Sequence, residues 1–294
     1  MEWTPGGVSN DIEDDRDSGG GGGNFGGYGP HLGIGGFLVL LVLSFVFKQN
    51  FFVLFSGGGA ASPSANTEPG GPGVRAPSSD ANDREVQFVS FVLDDVQHNW
   101  EIQLPAQTSK PYRRAKLVLF RDEIQSACGQ ADSATGPFYC PGDEKVYLDL
   151  GFFDELSRRF GAPGEFAQAY VIAHEIGHHV QKILGIEGKI QRLRESSPQE
   201  ANPLSVKLEL QADCFAGIWA QSTELRSITN SSDVAAALKA AAAVGDDRLQ
   251  KMATGRVSPE TFTHGSSAQR MQWFNRGLSS GKIDQCDTFA ANTQ

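Results

Sequence analysis

The chain has 294 residues, of which 39% are hydrophobic and 20% are charged, and its formal net charge is −10. That length is enough for one substantial globular domain with additional segments. An acidic chain without a basic patch interleaved with aromatic side chains is not typical of nucleic-acid-binding proteins. Most of the large aliphatic side chains outside one short N-terminal stretch lie in residues 84–294, so we expect the folded domain there.

The first thirty residues combine acidic side chains with an unbroken glycine run at 19–23. Residues 1–30 hold too few apolar side chains to offset the entropy lost when a chain becomes ordered. We therefore predict a disordered, Gly-rich, acidic N-terminus over this range.

Residues 31–55 contain an apolar stretch. Residues 32–47 carry no charge, Lys-Gln-Asn interrupts at 48–50, and 51–55 are apolar again. About 20 apolar residues span a bilayer, so we predict one transmembrane helix that anchors the chain through residues 32–55. A cleaved signal peptide is one alternative, but the acidic residues that precede the stretch are not typical of it. A buried core helix is the other.

Four cysteines follow the apolar stretch, and none forms a CxxC pair: Cys128, Cys140, Cys214 and Cys286. An even number of cysteines in this position is typical of disulfides in an oxidising compartment. We therefore expect a single-pass membrane protein whose C-terminal part is periplasmic or otherwise extracytoplasmic. The short Cys128–Cys140 loop favours that pair and leaves Cys214 with Cys286, whereas four buried free thiols are the alternative.

The remaining elements follow in chain order. Residues 56–83 are rich in Gly, Pro and Ser and predict a flexible linker. Apolar spacing then predicts a list of elements: an amphipathic helix over 84–100, strands at 116–120 and 145–150, and helices over 152–160, 165–184, 203–222, 234–253 and from after Gly265 to about 277. We expect an α+β fold, mostly helical, with a small antiparallel sheet.

Two histidines and a glutamate lie together on the predicted helix 165–184: His174, Glu175 and His178. Imidazoles four residues apart project from one helix face and can bind one tetrahedral metal ion. The glutamate can then reach a metal-bound water as a general base, as in the HExxH motif. A solvated helix face is the alternative, but the apolar residues 166–173 indicate that this helix is buried. A bound metal would offset the cost of burying the two histidines and the glutamate.

A third ligand is available on the next predicted helix, where Glu209 and Asp213 are again four residues apart. Glu209 can complete a His₂Glu site, and Asp213 can accept a hydrogen bond from a ligand imidazole and fix its tautomer. The strand-like residues 145–150 could form an edge strand near the metal and pair with an extended substrate. Gly177 leaves space for another element to approach the first helix.

Other polar residues have weaker patterns. His179 points about 100° away from His178, so we expect a structural or surface role. His264 is a candidate donor to the oxyanion that forms during peptide hydrolysis, with a packing role in a loop as the alternative. Tyr147 or Tyr170 could assist it, and Arg270 could pair with a carboxylate.

Several separate motifs now appear in order, at residues 128–153, 169–181, 209–220, 262–277 and 285–289. In these stretches the chain resembles the bacterial "putative neutral zinc metallopeptidase" family of membrane-anchored proteins. The resemblance implies a zincin-like fold of the thermolysin type, called gluzincin, with Zn²⁺ held by His174, His178 and Glu209 and with Glu175 as the base. The spacing between the two helices then leaves a variable loop at about 188–202.

The sequence therefore predicts a membrane-anchored, zinc-dependent endopeptidase that acts on peptides or proteins, with a zinc-activated water and Glu175 as general base. The alternative is a zinc-stabilised extracytoplasmic binding protein without turnover. Structural zinc sites are usually closed by four protein ligands, and only three are predicted here. A membrane-tethered interaction domain without metal is a third hypothesis.

Overall fold

A computed structural model describes residues 1–16 and 80–290. Its helices are α1 (Asp80–Thr108), α2 (Gly151–Arg158), α3 (Glu165–Leu184), α4 (Ile186–Ser196), α5 (Ala201–Leu225), α6 (Ser231–Ala243), α7 (Asp246–Thr254) and α8 (Ser267–Ser280). Its strands are β1 (Ile12–Asp14), β2 (Lys116–Phe120), β3 (Glu123–Ser126), β4 (Gly129–Asp132), β5 (Phe138–Cys140) and β6 (Lys145–Asp149). The mostly helical α+β class is confirmed.

The main sheet is mixed, which corrects the predicted antiparallel one. Its strand order is β1-β2-β6-β5, and only the β5–β6 pair is antiparallel. A tight turn joins β5 to β6, whereas the connection from β2 to β6 is long enough for a parallel pair. Strands β3 and β4 form a separate antiparallel hairpin. The predicted edge strand, β6, lies inside the sheet, and β1 and β5 are its edges.

The disordered N-terminus was a wrong prediction for residues 1–16. Strand β1 pairs with β2, and the acidic side chains that suggested a solvated tail bind basic side chains of the domain. Asp11 contacts Arg114 and Lys116, and Glu13 contacts Lys145. The domain therefore includes residues before its predicted start at 84, and α1 also begins earlier.

The predicted transmembrane helix, most of the predicted linker at 56–83 and the rest of residues 1–30 lie outside the described residues. Within residues 1–16 and 80–290, no helix combines the length and the apolar content needed to cross a bilayer.

Two other helix predictions change. The predicted variable loop at 188–202 is mostly α4, which buries Ile190 after Gly185 turns the chain in a left-handed conformation (φ 79°). The predicted helix 234–253 is two helices, α6 and α7, divided at Gly245. A Cβ there would lie 2.4 Å from the backbone nitrogen of Ser267, so the close approach of α8 requires glycine.

Helices α3, α5 and α8 form the centre of the domain. A Cβ on Gly177 of α3 would lie 3.0 Å from the carbonyl oxygen of Ala212 on α5, which confirms the predicted close approach at this glycine. Cys214 on α5 forms a disulfide with Cys286, and Cys128 forms one with Cys140, so both favoured pairs are confirmed. The tight packing brings the polar residues of α3 and α5 together.

Candidate metal centre

Helix α3 carries the histidine pair on its buried face. The apolar residues that precede the pair fill the core, and Gly185 ends the helix. The imidazole rings of His174 and His178 lie next to one another and nearly perpendicular, with ring centroids 4.9 Å apart. Their four-residue spacing therefore gives the predicted geometry of one shared face.

Glu209 of α5 completes the cluster. Its Oε2 lies 3.2 Å from Nε2 of His174, and its Oε1 lies 3.6 Å from Nε2 of His178. One atom from each of the three residues lies within 4.8 Å of the others. Tetrahedral zinc with bonds of about 2.0–2.1 Å separates its ligand atoms by about 3.3 Å. The donor set and its spacing therefore fit a zinc ion.

Asp213 contacts the His174 ring at Nδ1, the nitrogen that does not face Glu209. Oδ1 of Asp213 lies 2.9 Å from Nδ1 of His174. Arg270 of α8 donates to both carboxylate oxygens of Asp213, across 2.8 and 2.9 Å, and the hydroxyl of the fully buried Tyr170 donates to the same carboxylate. Nδ1 is thereby occupied, and Nε2 of His174 is left to face Glu209.

The ring of His178 has its own acceptor. Nδ1 of His178 lies 2.9 Å from Oε1 of Gln181. The Gln181 amide nitrogen donates to the backbone oxygen of Leu208 and to Oε1 of Gln211, so its oxygen is turned toward the imidazole. Both histidines therefore present Nε2 to the same point, which is how outer contacts orient metal ligands.

The charges of the cluster are complementary. Burial opposes ionisation of Glu209, but His178 and His174 outweigh it, so the pKa of Glu209 lies well below its usual value. Burial also favours neutral His174, but Asp213 and Glu209 outweigh it and raise the pKa of His174 to about 10. The carboxylate of Glu209 is therefore an anion that lies between the two imidazoles. One of these imidazoles must lose a proton when a metal cation binds.

Glu175 lies beside the cluster without belonging to it. Burial raises the pKa of its carboxyl group to about 7, while His174 and a backbone hydrogen bond from Tyr139 oppose that shift. Tyr139 is in the edge strand β5, so this strand lies next to the carboxyl group. A carboxyl group whose pKa is near neutral can both accept and return a proton.

His264 lies in the loop before α8, within electrostatic reach of Glu209. Burial lowers its pKa, but a hydrogen bond to Asp246 and the charge of Glu209 outweigh it, and the net shift is upward. Oδ2 of Asp246 accepts from the backbone N–H groups of Thr263, His264 and Gly265 across 2.6–3.0 Å. One carboxylate therefore shapes the whole loop that presents His264.

The structure brings together the residues that the sequence assigned to the metal, and it gives others different roles. His179 is fully buried between the Tyr139 hydroxyl and the backbone oxygen of Arg113, so its structural role is confirmed. The hydroxyl of Tyr147 donates to Asp143 and that of Tyr170 to Asp213, so neither faces the centre as an oxyanion donor.

Two residues that position the histidines of the site, Gln181 and Asp246, were not predicted from the sequence. Gln181 lies three residues after His178, a spacing at which helix side chains meet, and this was an available signal. Asp246 follows Gly245 at the start of α7 and had no local signal, because its partners are about 17 residues further along the chain.

A helix bearing HExxH that packs against a helix bearing a third, glutamate donor defines the class of HExxH metal-site proteins. Within this class, the chain belongs to the family described as "Putative neutral zinc metallopeptidase", whose model matches residues 1–289. It is 43% identical over 292 residues to "Uncharacterized protein YpfJ" of Escherichia coli (strain K12), covering 98% of this chain and 99% of the relative.

A second relative matches a shorter part of the chain. The chain is 46% identical over 203 residues to "Uncharacterized protein Rv2575" of Mycobacterium tuberculosis (strain ATCC 25618 / H37Rv), covering 65% of this chain and 66% of that protein. No solved structure matches the chain.

Proposed function

We propose that the chain is a zinc-dependent endopeptidase whose metal is held by His174, His178 and Glu209. One observation carries this proposal: three donor groups converge within 4.8 Å, and each histidine has its other nitrogen engaged. Two imidazoles and one carboxylate are the donor set of catalytic zinc in several peptidases. Membership of the family described as "Putative neutral zinc metallopeptidase" supports the same assignment.

When bound, zinc would act as a Lewis acid toward a peptide carbonyl and a water molecule. Glu175 takes the proton from the water and returns it to the leaving amine. Asp246 contacts Nδ1 of His264, so Nε2 of His264 is the nitrogen that donates to the developing oxyanion. Arg270 and Gln181 take no direct part and keep the two histidines oriented.

The substrate is an extended peptide. Strand β5 is one edge of the main sheet, and the backbone of its central residue, Tyr139, contacts the Glu175 carboxyl group. A peptide that paired with β5 would therefore pass beside the proposed base. Two disulfides support an extracytoplasmic position of the domain, and attachment to the membrane through residues 32–55 belongs to the same proposal.

The test compares the full chain with Glu175→Gln on a broad peptide library, together with metal analysis. We expect both proteins to bind zinc and only the unsubstituted chain to cleave. Glu195→Gln, on the exposed side of α4, is the matched control and should behave like the unsubstituted chain. Zinc binding without cleavage by any of the three would favour the binding protein without turnover, and full turnover by Glu175→Gln would remove the base assignment.

A further inference from the structure

Helix α4 has an inner face that packs on the rest of the domain. Ile190 is buried on this face, and Glu187 and Arg194, which lie three residues before it and four after it, are half-buried. Side chains at these spacings share one side of a helix, and the residues at 191–193 are exposed on the other. Because α4 packs against both α3 and α5, its inner face is next to the helices of the metal cluster.

Arg194 has a guanidinium group that forms no hydrogen bond or ion pair with the described residues. The other arginines that are buried or half-buried in this part of the chain each donate to an oxygen atom: Arg16, Arg248 and Arg270. Moving a charge out of water without a partner costs free energy. A ligand that brought an anion to Arg194 would therefore recover part of this cost.

The nearest negative charges are committed elsewhere. Burial lowers the pKa of Arg194, and the charges of Glu187 and Glu209 oppose that shift. Neither carboxylate forms an ion pair with Arg194, because Glu187 lies 3.9 Å from Nζ of Lys182 and Glu209 contacts the two histidines. A metal cation held by Glu209 would neutralise that carboxylate, and the guanidinium, which stays protonated, would lose one of its compensating charges.

The inner face of α4 is also within electrostatic reach of strand β5. Burial raises the pKa of the Tyr139 hydroxyl, and the charges of Glu144 and Glu187 raise it further. Tyr139 is the residue whose backbone contacts the proposed base. A peptide that paired with β5 and crossed the metal cluster would thus come within reach of Arg194.

We propose that Arg194 determines substrate specificity by binding a carboxylate group of the peptide. This proposal rests on the proposed function, because β5 and the metal cluster define where the peptide lies. A guanidinium can bind a carboxylate through two parallel N–H···O hydrogen bonds, which neither lysine nor a neutral side chain reproduces. The carboxylate belongs either to an acidic side chain or to the C-terminus of the peptide.

Binding of peptides to the zinc-loaded, full-length Glu175→Gln protein tests the proposal without relying on turnover. Labelled peptides are compared in pairs that differ only in Glu or Gln at one position, or in a free or amidated C-terminus. We expect the carboxylate form of one kind of pair to bind about 10–100-fold more tightly, as for hydrogen bonds between charged groups, and that kind identifies the source of the carboxylate. Adding Arg194→Gln should abolish the difference. Arg192→Gln, exposed on the same helix, is the matched control and should keep it.

A charge reversal provides a second variant. Arg194→Glu in the same background should reverse the preference, so that a peptide with Lys in place of the preferred Glu, or with an amidated C-terminus, binds more tightly. Equal binding of both forms of every pair, or a difference that persists in Arg194→Gln, would overturn the proposal.

The unsubstituted chain separates this result from the peptidase proposal. Cleavage without any preference for a carboxylate would contradict the role of Arg194 alone. Carboxylate-dependent binding that needs Arg194, without cleavage, would support that role and contradict the peptidase activity alone.

Discussion

Nδ1 of His174 and Oδ1 of Asp213 lie 2.9 Å apart, and this contact decides which nitrogen of the ring faces Glu209. Arg270 holds the same carboxylate from its other side. Burial alone would raise the pKa of Asp213, but Arg270 and His174 outweigh it and lower the pKa, so the carboxylate is charged at neutral pH. The buried carboxylate of Asp213 is thus an anion that contacts the His174 ring on the side away from the proposed metal.

Asp213→Asn should weaken zinc binding about 10–100-fold, because the amide is a poorer acceptor for the His174 ring and can present its NH₂ group instead. Competition with a chelator measures the change. Asp247→Asn, at the start of α7, is the control, since its carboxylate contacts Ser267 and not a metal-site residue. Equal zinc affinity in a folded Asp213→Asn protein would contradict this role.

Gln181→Leu should also weaken zinc binding about 10–100-fold, because His178 loses the acceptor that orients its ring. Gln181→Glu keeps an oxygen in place and should recover part of the affinity. Gln168→Leu, half-buried on the same helix, controls for the change in polarity. If Gln181→Leu and Gln168→Leu bound zinc alike, the orienting role of Gln181 would be wrong.

Asp246→Ala should reduce kcat while zinc stays bound, because three backbone N–H groups of the His264 loop lose their acceptor. Loss of an oxyanion donor costs about 10²–10³ in kcat, so His264→Ala should fall in that range and Asp246→Ala should approach it. Steady-state cleavage of a peptide identified in the library screen, with zinc content measured in parallel, checks both. Undiminished kcat in His264→Ala would exclude the oxyanion role.

Acid should weaken the attachment of residues 1–16, the N-terminal arm, to the rest of the domain. Burial opposes ionisation of Asp11, but hydrogen bonds from Lys116 and Arg114 outweigh it, so its pKa is lowered in the folded protein. Such a group stabilises the fold above its unfolded pKa of about 4, and this stabilisation is lost as pH falls through the lower folded value.

Asp11→Asn should therefore reduce the free energy of unfolding by about 1–3 kcal/mol at pH 7 and by less near pH 3. Urea unfolding at the two pH values measures the difference. Glu2→Gln, at an exposed position of the arm, is a control for the change in net charge. A loss of stability that is the same at both pH values would show that ionisation of Asp11 does not matter.

The sequence predicted the pairs of site residues that lie within one helix. It did not predict the contacts between residues that are far apart along the chain. His174 and His178, or Glu209 and Asp213, are brought together by helical periodicity alone, so their relationship is visible in the spacing. The arm was missed because its acidic residues look solvated when counted locally, whereas their basic partners follow about a hundred residues later.

The sheet shows the same limit. The three residues of β5 are too few to give a periodic signal, so β6 was taken as the edge strand. The two favoured disulfides were correct because the short Cys128–Cys140 loop leaves one other pair. Composition and spacing thus identify elements and local ligand pairs, but the order of strands depends on packing.

Zinc stoichiometry of the full chain, with Glu209→Ala beside it, tests the central claim most directly. Glu224→Ala, exposed on the same helix, is the matched control. We predict one zinc per chain for the unsubstituted protein and for Glu224→Ala. In Glu209→Ala we predict that zinc affinity falls by more than the factor of about 10–100 expected for Asp213→Asn and Gln181→Leu. Zinc binding by Glu209→Ala equal to that of the unsubstituted chain, or none by either, would contradict a centre built from two histidines and Glu209.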